Sequence, residues 1–218
     1  MIKQFLKSIL LRLRPITRRL ALAPATLLEE MPDHPPLFDQ YRFLLATGHK
    51  RVPGGWMYDG EFYPDYLTVG GASFAIRRTA LQWCKGKGVD IGAGLWPLPG
   101  ATPIDDTRGP GLNTTMDAIP TASQDFVFSS HCLEHIADWN RALDLWISKL
   151  KTGGVLFLYL PHPSCKLWHK SNPYMSEVHV WVPTPETIAD ALTAKGLKIV
   201  HRDDGPDHFY SFSVCGKL

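Results

Sequence analysis

Apolar and polar positions along the chain follow two different rules, and the change comes near Gly86. Before it, Ile2, Phe5, Leu6, Ile9, Leu10 and Leu13 recur at helical spacing, with Lys3, Lys7, Arg12 and Arg14 mostly off that stripe. This pattern predicts a basic amphipathic helix over residues 1–22. From 23 to 70 the chain is crowded with Pro24, Pro32, Pro35, Pro36, Pro53, Gly54, Gly55 and aromatic residues. That stretch predicts a wrapping segment or lid, with a short helical piece around 38–46. Residues 71–218 read as the main domain, opening with a helix over 73–84 that Gly86 and Gly88 end.

Beyond Gly86 short strands alternate with helices. Strands are predicted at 89–91, 102–105, 113–116 and 126–129. A helix over 139–150 carries Ala142, Leu143, Trp146, Ile147 and Leu150 on one face, with Asp138 as its cap and Gly153 past its end. The unbroken apolar run 155–160, bounded by Gly154 and Pro161, suits a strand covered on both faces of a parallel sheet. A further helix opens with Thr184 as cap and Pro185 in its first position and closes at Gly196; strands at 197–201 and 209–215 then lie close enough to pair antiparallel. The expected fold is α/β: a Rossmann-like, doubly wound, mostly parallel sheet with an antiparallel last strand. Its first crossover is shortened, because ten residues separate Ile91 from Thr102 and Pro97, Pro99 and Pro103 exclude a normal helix there.

Composition narrows the function classes. At 218 residues and 44% hydrophobic content the chain can bury a full core, and disorder is excluded as its main theme. Six basic residues and no acid fall within residues 1–28, which leaves 17 basic against 21 acidic residues in the remainder. The main domain therefore presents no broad nucleic-acid-binding face, and DNA is not expected as a partner. The basic helix suits contact of residues 1–19 with an anionic membrane surface, or packing on the domain or on a partner. Cys84, Cys132, Cys165 and Cys215 form no CxxC pair and read as reduced thiols of a cytoplasmic protein. No apolar run reaches the roughly 18 residues that a membrane span needs.

Doubly wound sheets bind ligands beyond the carboxyl ends of their strands, and the informative residues stand there. The first strand is followed by Asp90-Ile91-Gly92-Ala93-Gly94, where glycines admit close backbone approach and an acid can receive a cationic amine. Asp105 follows the second, able to accept both hydroxyls of a ribose, and Asp117 with Ala118 the third, suited to an exocyclic amine. Ser129-Ser130-His131 follows the fourth and Pro161-His162 the fifth.

In order and spacing, these segments, with 125–136 and the turn Leu150-Lys151-Thr152-Gly153-Gly154, resemble class I S-adenosylmethionine-dependent methyltransferases. The likeness is greatest to the small-molecule, lipid and glycan branch (methyltransferase type 11-like). The resemblance spans about 86–218 and implies methyl transfer from S-adenosylmethionine. It implies that Gly92, Ala93 and Gly94 pass beneath the methionine part, that Asp90 helps hold its amino group, and that Asp105 takes the ribose. Asp117 and Ala118 would hold the adenine, and Ser130 and His131 would border sulfonium and acceptor. The acceptor is expected to be a small molecule, a glycan or a lipid-linked molecule, methylated at oxygen. His131 and His162 are the candidate bases, since a hydroxyl must lose its proton on methylation. Glu134 and His135 are expected to orient the following helix or close the pocket, and no metal is expected.

Trp96 stands where relatives often have a third glycine, and Pro97 removes the Gly-x-Gly-x-x-Gly of a dinucleotide-binding oxidoreductase. Asp or Asn followed by two prolines and an aromatic, the signature of DNA and glutamine N-methylation, is absent after the fourth strand. Two alternatives stay open. The fold can serve as a non-catalytic scaffold. His131-x-x-Glu134-His135 also matches the inverted zinc-peptidase pattern, with His162, Cys165 and His169 as a second metal-like group.

Overall fold

The computed structural model describes residues 44–68, 71–94, 96–105 and 116–218. The expected N-terminal helix, the start of the wrapping segment and nearly all of the third predicted strand lie outside the described residues. Met116, the last residue of that strand, opens a 3-10 turn, Met116–Ala118.

Residues 50–64, where the sequence predicts only wrapping, form a three-stranded antiparallel sheet: β1 (Lys50–Val52), β2 (Gly55–Tyr58) and β3 (Glu61–Pro64). The signal was local. Asp59 and Gly60 both adopt positive φ (48° and 79°), the requirement of a two-residue hairpin turn, and Asp-Gly is among its strongest sequence marks. Trp56 and Tyr63 pair across β2 and β3 and are fully buried. A 3-10 turn, Asp65–Thr68, and the helix α1 (Ala72–Trp83) follow.

The main sheet holds β4 (Gly88–Ile91), β5 (Ala101–Ile104), β6 (Gln124–Ser130), β7 (Leu150–Pro161), β8 (Lys198–Asp203) and β9 (Ser211–Lys217). Their order is β5-β4-β6-β7-β9-β8, with β5, β4, β6 and β7 parallel and β9 antiparallel to both neighbours. The helices α2 (Trp139–Ser148) and α3 (Pro185–Ala194) begin at the caps expected, Asp138 accepting from the Arg141 amide and Thr184 from the Thr187 amide. Leu150 already belongs to β7, which is longer than the apolar run suggests. Two turns and no helix fill the crossover between β4 and β5 among the described residues.

Strand alternation divides the core. On one face Phe126, Phe128, Phe157, Tyr159 and Cys215 pack with α1 and the small sheet; on the other Val127, Leu156, Leu158, Leu160, Phe212 and Val214 pack with α2 and α3. Burying β7 on both faces accounts for its unbroken apolar sequence. No helix of the described residues is long and apolar enough to cross a membrane.

Phe157, with none of its surface exposed, is the centre of the aromatic face. Phe157→Ala should cost about 3–5 kcal/mol in denaturant unfolding, against under about 0.5 kcal/mol for Leu145→Ala, since Leu145 is 38% exposed on α2.

Candidate functional site

The chain leaves β4 toward β5 on one side and returns to β6 on the other, so a crevice opens at the carboxyl ends of β4 and β6. Gly92 and Gly94 turn there with φ of 73° and 51°. A β-carbon on Gly92 would stand 2.6 Å from that of Cys132, which follows β6, so no side chain fits at that crossing. One on Gly94 would meet only Asp105, at 3.9 Å. The loop between β4 and β5 is tied from both ends. The Gly94 amide donates to Asp105 Oδ2 at 2.8 Å, the Leu98 amide to Asp90 Oδ2 at 2.6 Å, and the Gly92 amide to the Ile104 carbonyl at 2.8 Å. Ala93 is buried within the turn.

Asp90 is fully buried, and its Oδ1 has no hydrogen-bond partner among the described residues. Loss of water pushes its carboxyl up to about 7, against the Leu98 amide and with help from the nearby charge of Asp105. A buried, half-satisfied carboxylate beside a glycine turn fits a ligand that brings a cationic amine.

Across the crevice, His131 holds a positive φ of 48° that a non-glycine residue rarely adopts, a strain typical of functional positions. Its ring lies among Tyr159, Trp168 and Phe209, and its Nε2 is 2.7 Å from Ser211 Oγ. His162 follows β7; its Nδ1 accepts from the Ser164 amide at 3.2 Å, and partial burial lowers its pKa.

Residues 70–202 match the model of the methyltransferase domain. The chain belongs to the methyltransferase domain family. No curated protein matches it. Among solved structures, an S-adenosylmethionine-dependent methyltransferase from Mesorhizobium loti shares 18% identity at a TM-score of 0.52, covering 70% of this chain and all of that one. The N-methyltransferase NodS from Bradyrhizobium japonicum, in complex with S-adenosyl-L-homocysteine, shares 18% at 0.50, covering 83% of this chain and 96% of that one. The fold is the Rossmann-like methyltransferase fold, and S-adenosylmethionine is the methyl donor.

In this methyltransferase Asp90, Asp105 and the Gly92–Gly94 turn come together. Asp117 and Ala118 sit exposed on the 3-10 turn, with Met116 packed on the α2 side of the core. Ser130 ends β6 with its hydroxyl buried and without a partner among the described residues. The aromatic stretch before Tyr66 serves chiefly the core: Trp56, Tyr63 and Tyr66 are buried, and Phe62 is 37% exposed. The inverted zinc-peptidase pattern fails on geometry, since His131 lies in the bend just after β6 and Leu133–His135 is a 3-10 turn rather than part of a long helix. His162, Cys165 and His169 do not converge; each of the two histidines instead accepts from a serine amide two residues on.

Sequence reading missed Leu98, Ser211 and His179. Leu98 contributes only its backbone, Ser211 arrives through the register of β9 against Pro161, and His179 from a segment without periodicity. Glu134, expected to orient the following helix or close the pocket, makes no side-chain hydrogen bond to α2. It is fully buried, both carboxylate oxygens lack hydrogen-bond partners among the described residues, and burial pushes it up to about 8.

Asp90 generates a pH prediction. Its carboxyl holds a proton more tightly folded than unfolded, so its contribution to stability is greatest at low pH and declines as pH rises from about 4 to about 7. Denaturant unfolding of the wild type and Asp90→Asn should show the stability difference shifting toward the variant across that window. A difference constant with pH would contradict the burial argument.

Proposed function

We propose that the chain transfers methyl to a hydroxyl oxygen of a small-molecule, glycan or lipid-linked acceptor. The observation that carries this reading is an open, polar groove of about 560 Å³ lined by Tyr58, Asp59, Pro163, Lys166 and His169, next to His162 at the end of β7. Lys166 is held there by Asp59 at 2.8 Å and Glu61 at 3.1 Å, a surface of paired charges suited to a hydroxylated acceptor rather than an apolar one.

On this reading Asp105 takes the ribose hydroxyls while it fixes the Gly94 amide, and Gly92 and Gly94 leave room for the methionine part. Asp90 Oδ1 faces the amino group, Asp117 and Ala118 the adenine, and Ser130 the reacting end. The donor supplies a methyl group already activated on a sulfonium. The chain's work is therefore alignment of donor and acceptor and exclusion of water. His131 is tied by Ser211 and buried among aromatics, and burial holds its pKa well below the ordinary range, so it shapes the acceptor wall better than it takes a proton. His162 is less buried, and its chain neighbour Pro163 lines the groove. It is the better proton acceptor of the two, once its Nδ1 is released by Ser164.

Two measurements test the reading. Asp105→Ala should weaken S-adenosylhomocysteine binding by about 10- to 100-fold in calorimetry, the loss of hydrogen bonds to a charged group. An unchanged affinity would remove Asp105 from the site. Labelled methyl transfer into cell-extract fractions of glycan, lipid, small-molecule and RNA type should give an alkali-stable product in one of the first three. Label confined to RNA or to an amine would contradict it.

A further inference from the structure

Glu134 is the anomaly of the fold: a carboxylate with no exposed surface whose two oxygens accept no hydrogen bond among the described residues. Three imidazoles surround it. His131 Nδ1 and His135 Nε2 each lie 3.8 Å from Glu134 Oε1, and His179 Nε2 lies 3.9 Å away. These separations are too long for hydrogen bonds.

The hydrogen bonds on the far side of each ring decide what faces the carboxylate. His135 Nδ1 is 3.0 Å from the Val178 carbonyl, and His179 Nδ1 is 2.6 Å from the Trp168 carbonyl. A carbonyl only accepts, so each Nδ1 carries the hydrogen and each Nε2 turns a lone pair inward. Ser211 Oγ spends its own hydrogen on the Phe209 carbonyl and accepts from His131 Nε2, which leaves the lone pair on His131 Nδ1. Three nitrogen lone pairs thus face one carboxylate. A single proton could serve one such pair; a cation serves all four.

We propose that Glu134, His135 and His179, with His131 beside the carboxylate, bind a divalent transition ion of the zinc type. Ligand atoms of Glu134, His135 and His179 already lie within 4.8 Å of one another. The three nitrogens stand 3.8–3.9 Å from Glu134 Oε1, against roughly 3.3 Å between ligands of a tetrahedral site with 2.0–2.1 Å bonds, so side-chain rotations draw the ligands together on a bound ion. Imidazole-rich donor sets suit zinc or cobalt, and magnesium and calcium prefer all-oxygen sets. Carbonyls fixing the outer nitrogens of metal-bound histidines are the usual arrangement.

The site joins the turn after β6 to the segment before α3. That segment is docked by the Val180 amide on the Glu134 carbonyl at 3.0 Å and by Trp181 Nε1 on the Leu133 carbonyl at 2.9 Å. A bound ion would pin it across the carboxyl ends of the strands, where Trp168 already packs on His131. The site is built from these side chains whatever the acceptor.

Cobalt(II) tests it on the full chain after dialysis against chelator. The wild type should take up about one equivalent, with the visible absorption of a four-coordinate nitrogen and oxygen site and a rise in melting temperature. His179→Ala and Glu134→Gln should lose the absorption, and His135→Gln, at a side chain 40% exposed and so least apt to misfold, should weaken cobalt binding about 10-fold or more. S-adenosylhomocysteine binding in each variant certifies the fold. A wild type without cobalt absorption or thermal shift would overturn the site. So would a His135→Gln or His179→Ala protein that binds S-adenosylhomocysteine and cobalt as the wild type does.

Discussion

Everything at the rim depends on the tying of one short loop. Asp90 from β4 and Asp105 after β5 each accept an amide of that loop, from Leu98 and Gly94, and so fix the glycine turn without the helix a longer crossover would supply. With proline at 97 and 99 the loop cannot hydrogen-bond itself as a helix, and the carboxylates take over that work. The crowding of Gly92 against Cys132 then sets how closely the ends of β4 and β6 approach.

The sheet behind this loop is rigid for a plain reason. Largely aromatic side chains on one face and aliphatic ones on the other bury most of β6, β7 and β9, so the carboxyl ends of β4, β6 and β7 present their residues in fixed register. The reversed β9 brings Ser211 opposite Pro161 and within reach of His131. Catalysis by alignment requires this kind of support, because little beyond position and dryness is asked of the protein.

Much of the fold was legible in the sequence because its signals are local: the capped helices at Asp138 and Thr184, the apolar run of β7, the glycines after β4. The small N-terminal sheet was legible too, in Asp59-Gly60, but its prolines and glycines read as loop. Asp90 and Asp105, which the structure brings to one glycine turn, could be found by their place at the ends of strands. What could not be found is what long-range contact creates: the Leu98 amide on Asp90, Ser211 on His131, and His179 facing Glu134 across 45 residues of chain. The His-Cys-Leu-Glu-His string carried a metal-like signal for the wrong geometry, since its partners come from space rather than from one helix.

The most direct test of the account is a crystal structure with S-adenosylhomocysteine bound. The account predicts the ribose on Asp105, the homocysteine amine at Asp90 Oδ1 and the sulfur over the crevice between β4 and β6. A nucleoside lying elsewhere, with the Gly92–Gly94 turn untouched, would contradict it.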